Sequence, residues 1–196
     1  MTKGEKRKKE LLEIAFGSFL TKGYEQTSVD DIIAAAGIAK GTFYYYFESK
    51  EQMLEEVTEL MIEREAAVAE EIAASDLPAP EKFIGIISSF RPQKEEAEIS
   101  DVVNRPENFR MHEKLKKKLI ERMVPILGRI VEDGIRDGMF DCDHIPERLK
   151  ILLYVGSNLF DAGSYTQNEF DVFVDLTEKI LGAKQGLVDM IRKLIG

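Results

Sequence analysis

Lys40-Gly41-Thr42 runs straight into Phe43-Tyr44-Tyr45-Tyr46-Phe47, setting an ammonium, a hydroxyl and three phenols within seven residues. Those groups suit contact with a duplex. Lysine donates to guanine acceptors, threonine hydrogen-bonds or touches a thymine methyl, and glycine lets a backbone come close. Phenol hydroxyls donate to phosphate oxygens, which positions a helix without reading sequence. Lys50 offers phosphates its charge, and Thr27 and Ser28 open a preceding helix whose free amides suit an anion. The candidate DNA contacts are Thr27, Ser28, Lys40, Gly41, Thr42, Tyr44, Tyr45 and Lys50. An evenly weighted alternative has Tyr44 and Tyr45 covering a helix interface inside the same protein.

Positioning such groups requires short helices with sharp stops. Leu12, Ala15, Phe16, Phe19 and Leu20 share one helical face, which ends at Gly23. "TSVDDIIAAAG" opens with Ser28 and Asp31 in a capping arrangement, runs through Ile32, Ile33 and Ala36, and stops at Gly37. Three residues later "KGTFYYYF" begins another helix, giving the layout of a helix-turn-helix. Phe43 and Phe47, four apart, are expected to bury against Ile32, Ile33, Phe16 and Phe19, while Tyr44 and Tyr45 point elsewhere and Tyr46 packs in part.

The remainder is also helical by pattern. Ser49 caps a long amphipathic helix, "SKEQMLEEVTELMIEREAAVAEEIAA", with Glu51 and Glu55 near its positive end. Asp76-Leu77-Pro78-Ala79-Pro80 breaks it and "EKFIGIISSF" restarts; one short helix fits between Pro92 and Pro106. The stretch from Glu107 to Gly138 is a long helix that Pro125 is expected to kink. After "MFDCDHIP" the pattern predicts two more helices, 147–163 and 168–196. With no strand, repeat or low-complexity linker, the fold class is all-α.

Charge is uneven. The 196 residues carry a net charge of −9, yet residues 1–50 hold eight Lys/Arg against seven Asp/Glu, a balance of +1, leaving −10 for the rest. This fits a small anion-binding module on an acidic body. No apolar run approaches the ~20 residues of a spanning helix, so no membrane partner is expected, and "ELLEIAFGSFL" behind the basic start does not form a leader. The single cysteine, Cys142, excludes an internal disulfide framework and fits a cytoplasmic location.

Other constellations are weaker. Asp141-Cys142-Asp143-His144 offers ligand atoms, but adjacent residues cannot easily surround one ion, and no metal is expected. Lys114, Lys116, Lys117 and Lys118 occur with acidic neighbours such as Glu113 and Glu121 and fit a solvated face. Lys40-Gly41-Thr42 lacks the upstream glycines of a phosphate-binding loop, and neither a nucleophile motif nor a catalytic carboxylate pair stands out. No cofactor and no enzymatic activity is expected.

The stretch "TSVDDIIAAAGIAKGTFYYYFESKEQML" closely resembles the DNA-binding signature of the tetracycline-repressor (TetR) family of bacterial transcription regulators. The similarity takes in the capped helix, the Ala-Gly-Ile turn, the Gly-Thr-Phe-Tyr start, the closing Phe47 and Ser49-Lys50-Glu51. A looser similarity is "IVEDGIRDGMF", like the family's helix end ahead of its last two helices; Ala39 departs where many members carry serine. The resemblance implies a three-helix DNA-binding domain over 1–48 and a helical effector-binding and dimerisation domain over 49–196. It implies a homodimer joined through the last two helices, binding a palindromic operator in double-stranded DNA and released by a small-molecule effector. Leu149, Leu152, Leu153, Gly156, Leu159, Phe160, Phe170, Phe173, Val174, Leu176, Thr177, Ile180 and Leu181 supply apolar positions for that union, or simply complete the monomer core. Phe83, Phe90, Phe109, Met111, His112, Met123 and Tyr154 fall in the helices that, by resemblance, wrap an effector pocket. The rivals are an enzyme housed in the helical body and a helical interaction protein without specific DNA binding.

Overall fold

The computed structural model describes residues 2–89, 97–161 and 165–183, and among these every regular element is a helix. They group into two compact units: 2–64 with 97–115, and 65–89 with 116–161 and 165–183.

In the first unit, α1 (Lys3–Lys22) starts at a capping box between Thr2 and Glu5 and stops at Gly23, whose φ of 86° few side chains tolerate. Helix α2 (Val29–Ala36) starts at the expected box between Ser28 and Asp31. It ends at Gly37 in the left-handed region (φ 61°), the conformation glycine adopts at least cost. Three residues on, α3 (Lys40–Tyr46) begins without a side-chain cap. Helix α4 (Lys50–Ala73) begins at Ser49, whose hydroxyl accepts from the Gln52 amide at 3.1 Å. Leu11, Phe16, Phe19, Ile32, Phe43, Phe47, Met53 and Leu54 close a core between these helices. Each such side chain contributes about 1.5–3 kcal/mol on leaving water.

The same unit takes in α6 (Ala97–Val103), a 3₁₀ turn at Pro106–Asn108 and the start of α7 (Phe109–Arg136). Ile99 and Val102 are buried, and Arg105 pairs with Glu25 as Lys114 does with Glu55.

The second unit holds the end of α4, α5 (Ala79–Ser89), most of α7, α8 (Ile145–Asp161) and α9 (Gln167–Leu181). Phe83, Ile86, Met123, Ile126, Leu127, Ile130, Leu149, Leu152 and Leu181 form its core. Helix α7 continues through Pro125, although proline removes one ladder hydrogen bond.

The expected final helix is shorter than its pattern. It stops at Gly182 (φ 58°), where the Ala183 amide donates to the Glu178 carbonyl at 2.9 Å. The Asp141 amide donates to Leu181 O at 3.1 Å, so the loop after α7 closes that end. Residues 184–196, Phe90 and the side chain of Phe160 lie outside the described residues. No helix among the described residues is long and apolar enough to cross a membrane.

Candidate nucleic-acid interface

Helix α3 divides its aromatics by face. Phe43 and Phe47, 0% and 1% exposed, stack 5.6 Å apart on the core side. Tyr44 is 51% and Tyr45 81% exposed, each held only by an edge contact to its neighbour in sequence, Phe43 and Tyr46 respectively. Tyr46 is half-buried, as its position predicts. Within the described chain the two tyrosines cover no helix interface, so their phenols face outward.

Lys40 and Gly41 are exposed and Thr42 half-buried on the first turn of the same helix. Lys40 Nζ lies 3.5 Å from Asp30 Oδ1, a loose pair between two exposed side chains on α2 and α3. Ser28 is exposed, and its hydroxyl accepts from the Asp31 amide at 3.1 Å. Asp31 in turn accepts from the Ser28 amide and from Lys22 Nζ, both at 2.8 Å. These donors, Lys22 first and then Ser28, hold its carboxyl well below the usual carboxylate range. The start of α2 is therefore set by a charged cap before any ligand arrives.

Two of the expected contacts, Thr27 and Lys50, are bonded within the protein. Thr27 is fully buried, and its hydroxyl donates to Gly23 O at 2.7 Å while its amide donates to Tyr24 O. It closes the α1–α2 turn, because the tight turn leaves two carbonyls that need donors. Lys50, half-buried, donates from Nζ to Tyr24 O and Thr27 O, each at 3.1 Å, with the Tyr24 ring centroid 4.2 Å away. Its ammonium clasps the α1–α2 turn to the first residue of α4. The Tyr24 phenol, pushed up to about 12 by burial and by Glu51 and Glu25, stays neutral under that cation. Lone threonines and lysines beside a helix start carry no mark in sequence of the carbonyls they will meet in space.

The described effector candidates are divided between the two units. Phe83 and Met123 are buried in the core of the second unit, Tyr154 is half-buried on α8, and Phe109, 63% exposed, belongs with Met111 and His112 to the first unit. A cavity of about 470 Å³ opens instead between α4 and α7 of the second unit, lined by Glu70, Arg129, Glu132, Asp133 and Arg136 around Ile130. Its arginines pair with acids of the same cavity, Arg129 with Glu70 and Arg136 with Asp133. None of the expected residues lines it.

On α8 and α9 an apolar face is left uncovered. Ile151 and Val155 of α8 and Val172 and Leu176 of α9 are between 43% and 57% exposed, while Leu149, Leu152, Val174 and Leu181 of the same helices are buried. Of these four exposed residues, the sequence pattern singled out Leu176 alone.

Residues 11–57 match the family "Bacterial regulatory proteins, tetR family". The chain is 28% identical over 141 residues to the HTH-type transcriptional repressor KstR2 of Mycolicibacterium smegmatis, covering 70% of this chain and 69% of that one. It is also 28% identical over 142 residues to the HTH-type transcriptional regulator YhgD of Bacillus subtilis, covering 70% and 74%. Among solved structures, RolR in complex with resorcinol superposes with a TM-score of 0.70 over 96% of this chain and 94% of that one, at 16% identity. This last similarity speaks to the fold.

Proposed function

We propose that this member of the TetR family of bacterial regulatory proteins works in the cytoplasm as a dimeric repressor, released from a palindromic operator by a small molecule. That it is a helix-turn-helix transcription regulator follows from its family and from relatives such as the repressor KstR2. The observation that carries the contact surface is the split on α3, where Phe43 and Phe47 anchor the helix and Tyr44, Tyr45, Lys40 and Gly41 are left outside. In this reading Lys40, Gly41 and Thr42 meet base edges at the helix start, and Tyr44, Tyr45 and Ser28 meet phosphates. We assign DNA binding to residues 1–48 and effector binding with dimerisation to 49–196.

Dimerisation is supported by the uncovered apolar face of Ile151, Val155, Val172 and Leu176. A two-fold union through that face presents two recognition helices to two half-sites, about one helical turn or a multiple apart. The small-molecule effector is supported by RolR, a protein of the same fold whose structure holds resorcinol. Helices α4 and α7 are each continuous across the division between the units, which provides covalent routes from effector to DNA. An effector that prefers a different spacing of the recognition helices lowers operator affinity by its differential affinity for the two states.

The test is binding of the Thr42→Ala and Tyr44→Phe proteins to the preferred duplex and to variants of it. Thr42→Ala relaxes preference at one position of each half-site, whereas Tyr44→Phe weakens all sequences alike. Unchanged binding by both variants would count against α3 as the reading helix.

A further inference from the structure

Of the seven Asp/Glu in residues 1–50, five are engaged away from the recognition helix. Glu5 accepts from the Thr2 amide, Glu10 pairs with Arg7, Glu13 with Arg64, Glu25 with Arg105, and Asp31 with Lys22. Glu48 is exposed beyond the far end of α3. Asp30 is the one of the seven that is bonded to α3, through Lys40 Nζ at 3.5 Å.

That pair lies on the outer faces of both helices. Asp30 is about 160° around α2 from Ile32, which is fully buried, and its carboxylate is mostly exposed. Lys40 is about 40° around α3 from Tyr44, another exposed side chain. A duplex is a dense line of negative charge, so a carboxylate here weakens binding to every sequence unless a base supplies it with a donor. The bond between two exposed groups holds Lys40 weakly, which leaves the ammonium free to turn to the O6 and N7 of a guanine. Asp30 then lacks its donor. In the major groove a G·C pair presents the guanine acceptors and the cytosine N4 amino group side by side, one for each member of the protein's pair. The adenine amino group fits less well, because it lies beside the N7 acceptor, which repels a carboxylate.

We infer that Asp30 is a specificity-determining residue, its carboxylate accepting from a cytosine amino group in each half-site while Lys40 donates to guanine. The inference rests on the DNA-binding reading above. Asp30 acts chiefly against wrong sequences: a duplex without that cytosine leaves the carboxylate unpaired among phosphates.

The experiment uses the full chain and its D30A and D30N variants. Affinities are measured for a duplex that the wild type selects from a random pool, for each single base-pair replacement made in both half-sites, and for a duplex of random sequence. The wild type is expected to lose about tenfold or more when one particular cytosine of each half-site is replaced. D30A is expected to tolerate every base at that position, to keep its other preferences and to bind the random duplex more tightly than the wild type. D30N keeps the shape of the side chain, and its amide, which both donates and accepts, is expected to admit adenine there as well as cytosine. Base preferences that stay intact in both variants, whatever happens to overall affinity, overturn the inference while leaving specific DNA binding in place. So does a preference lost at a position other than a cytosine. Wild-type protein that selects no common sequence overturns the DNA-binding reading and this inference with it.

Discussion

Lys50 and Tyr24 form a clasp: the lysine ammonium lies 4.2 Å from the tyrosine ring centroid and donates to that residue's own carbonyl at 3.1 Å. With the second bond, to Thr27 O, one side chain at the first turn of α4 fixes the loop that starts α2. Lys50→Met keeps the aliphatic stem and removes three interactions. It is expected to lower stability by about 1–3 kcal/mol, the range for hydrogen bonds from a charged donor. Denaturant titration of the two proteins measures it, and a midpoint unchanged in the variant contradicts the clasp.

Thr27 acts in the same turn from inside. Thr27→Val is nearly isosteric but leaves Gly23 O without the hydroxyl donor now 2.7 Å away, in a fully buried site. The expected cost is about 1–3 kcal/mol of stability. Base preference, measured on a panel of duplexes, stays as in the wild type, because Thr27 touches no surface. A changed preference with unchanged stability would put the hydroxyl back on the DNA.

The recognition unit was largely legible from residue spacing. Gly37 and the Ser28–Asp31 box delimit α2, and Phe43 and Phe47 at four-residue spacing identify the buried face of α3, because local turn chemistry and helical period act within a few residues. The bonds of Thr27 and Lys50 were not legible for the complementary reason: their partners are backbone carbonyls, which every residue has and which no side-chain pattern distinguishes. The end of α9 at Gly182 was missed because the reading followed the apolar period, and the bond from the Asp141 amide to Leu181 O comes from 40 residues away. The effector candidates came from the helices that the resemblance places around a pocket, and an aromatic such as Phe83 packs a core as readily as it lines a cavity.

Acid acts on the α2 cap. The Asp31 carboxyl titrates below its ordinary value because Lys22 and Ser28 stabilise the anion. The folded state therefore binds the proton less tightly than the unfolded chain, and the stabilisation is complete above about pH 4 and lost as pH falls through the depressed value. Asp31→Asn removes this dependence. Stability of the variant, followed by thermal melts below about pH 5, falls less steeply with acid than that of the wild type. Parallel curves for the two proteins contradict the assignment.

Gly134 lies where α7 passes α5 and the following loop. A Cβ there would run into the Phe140 ring, with Cε2 at 2.6 Å, and would meet Ala79 Cβ at 3.1 Å. Gly134→Ala is expected to cost about 1–3 kcal/mol through overpacking. Phe140→Leu in the same chain recovers part of that loss, which a double-mutant cycle reads as coupling between the two positions. Strict additivity is the contrary result.

Val172 and Ile151 are each 57% exposed on α9 and α8. Val172→Glu with Ile151→Glu places charge on the face proposed to join two copies, and sedimentation equilibrium is expected to show a monomer with a melting curve of the second unit's core still cooperative. A variant that remains dimeric moves the union to another face. The dimeric operator predicts one further consequence: this monomer loses preference for a palindrome over a single half-site.

The most direct test is selection of bound duplexes from a random DNA pool by the purified full chain, with the recovered sequences measured at two salt concentrations. The account predicts a palindrome bound at least a thousandfold more tightly than random duplex at physiological salt, about the lower end of specific recognition. Recovery of no common sequence, with the folded protein binding all duplexes alike or none, contradicts it.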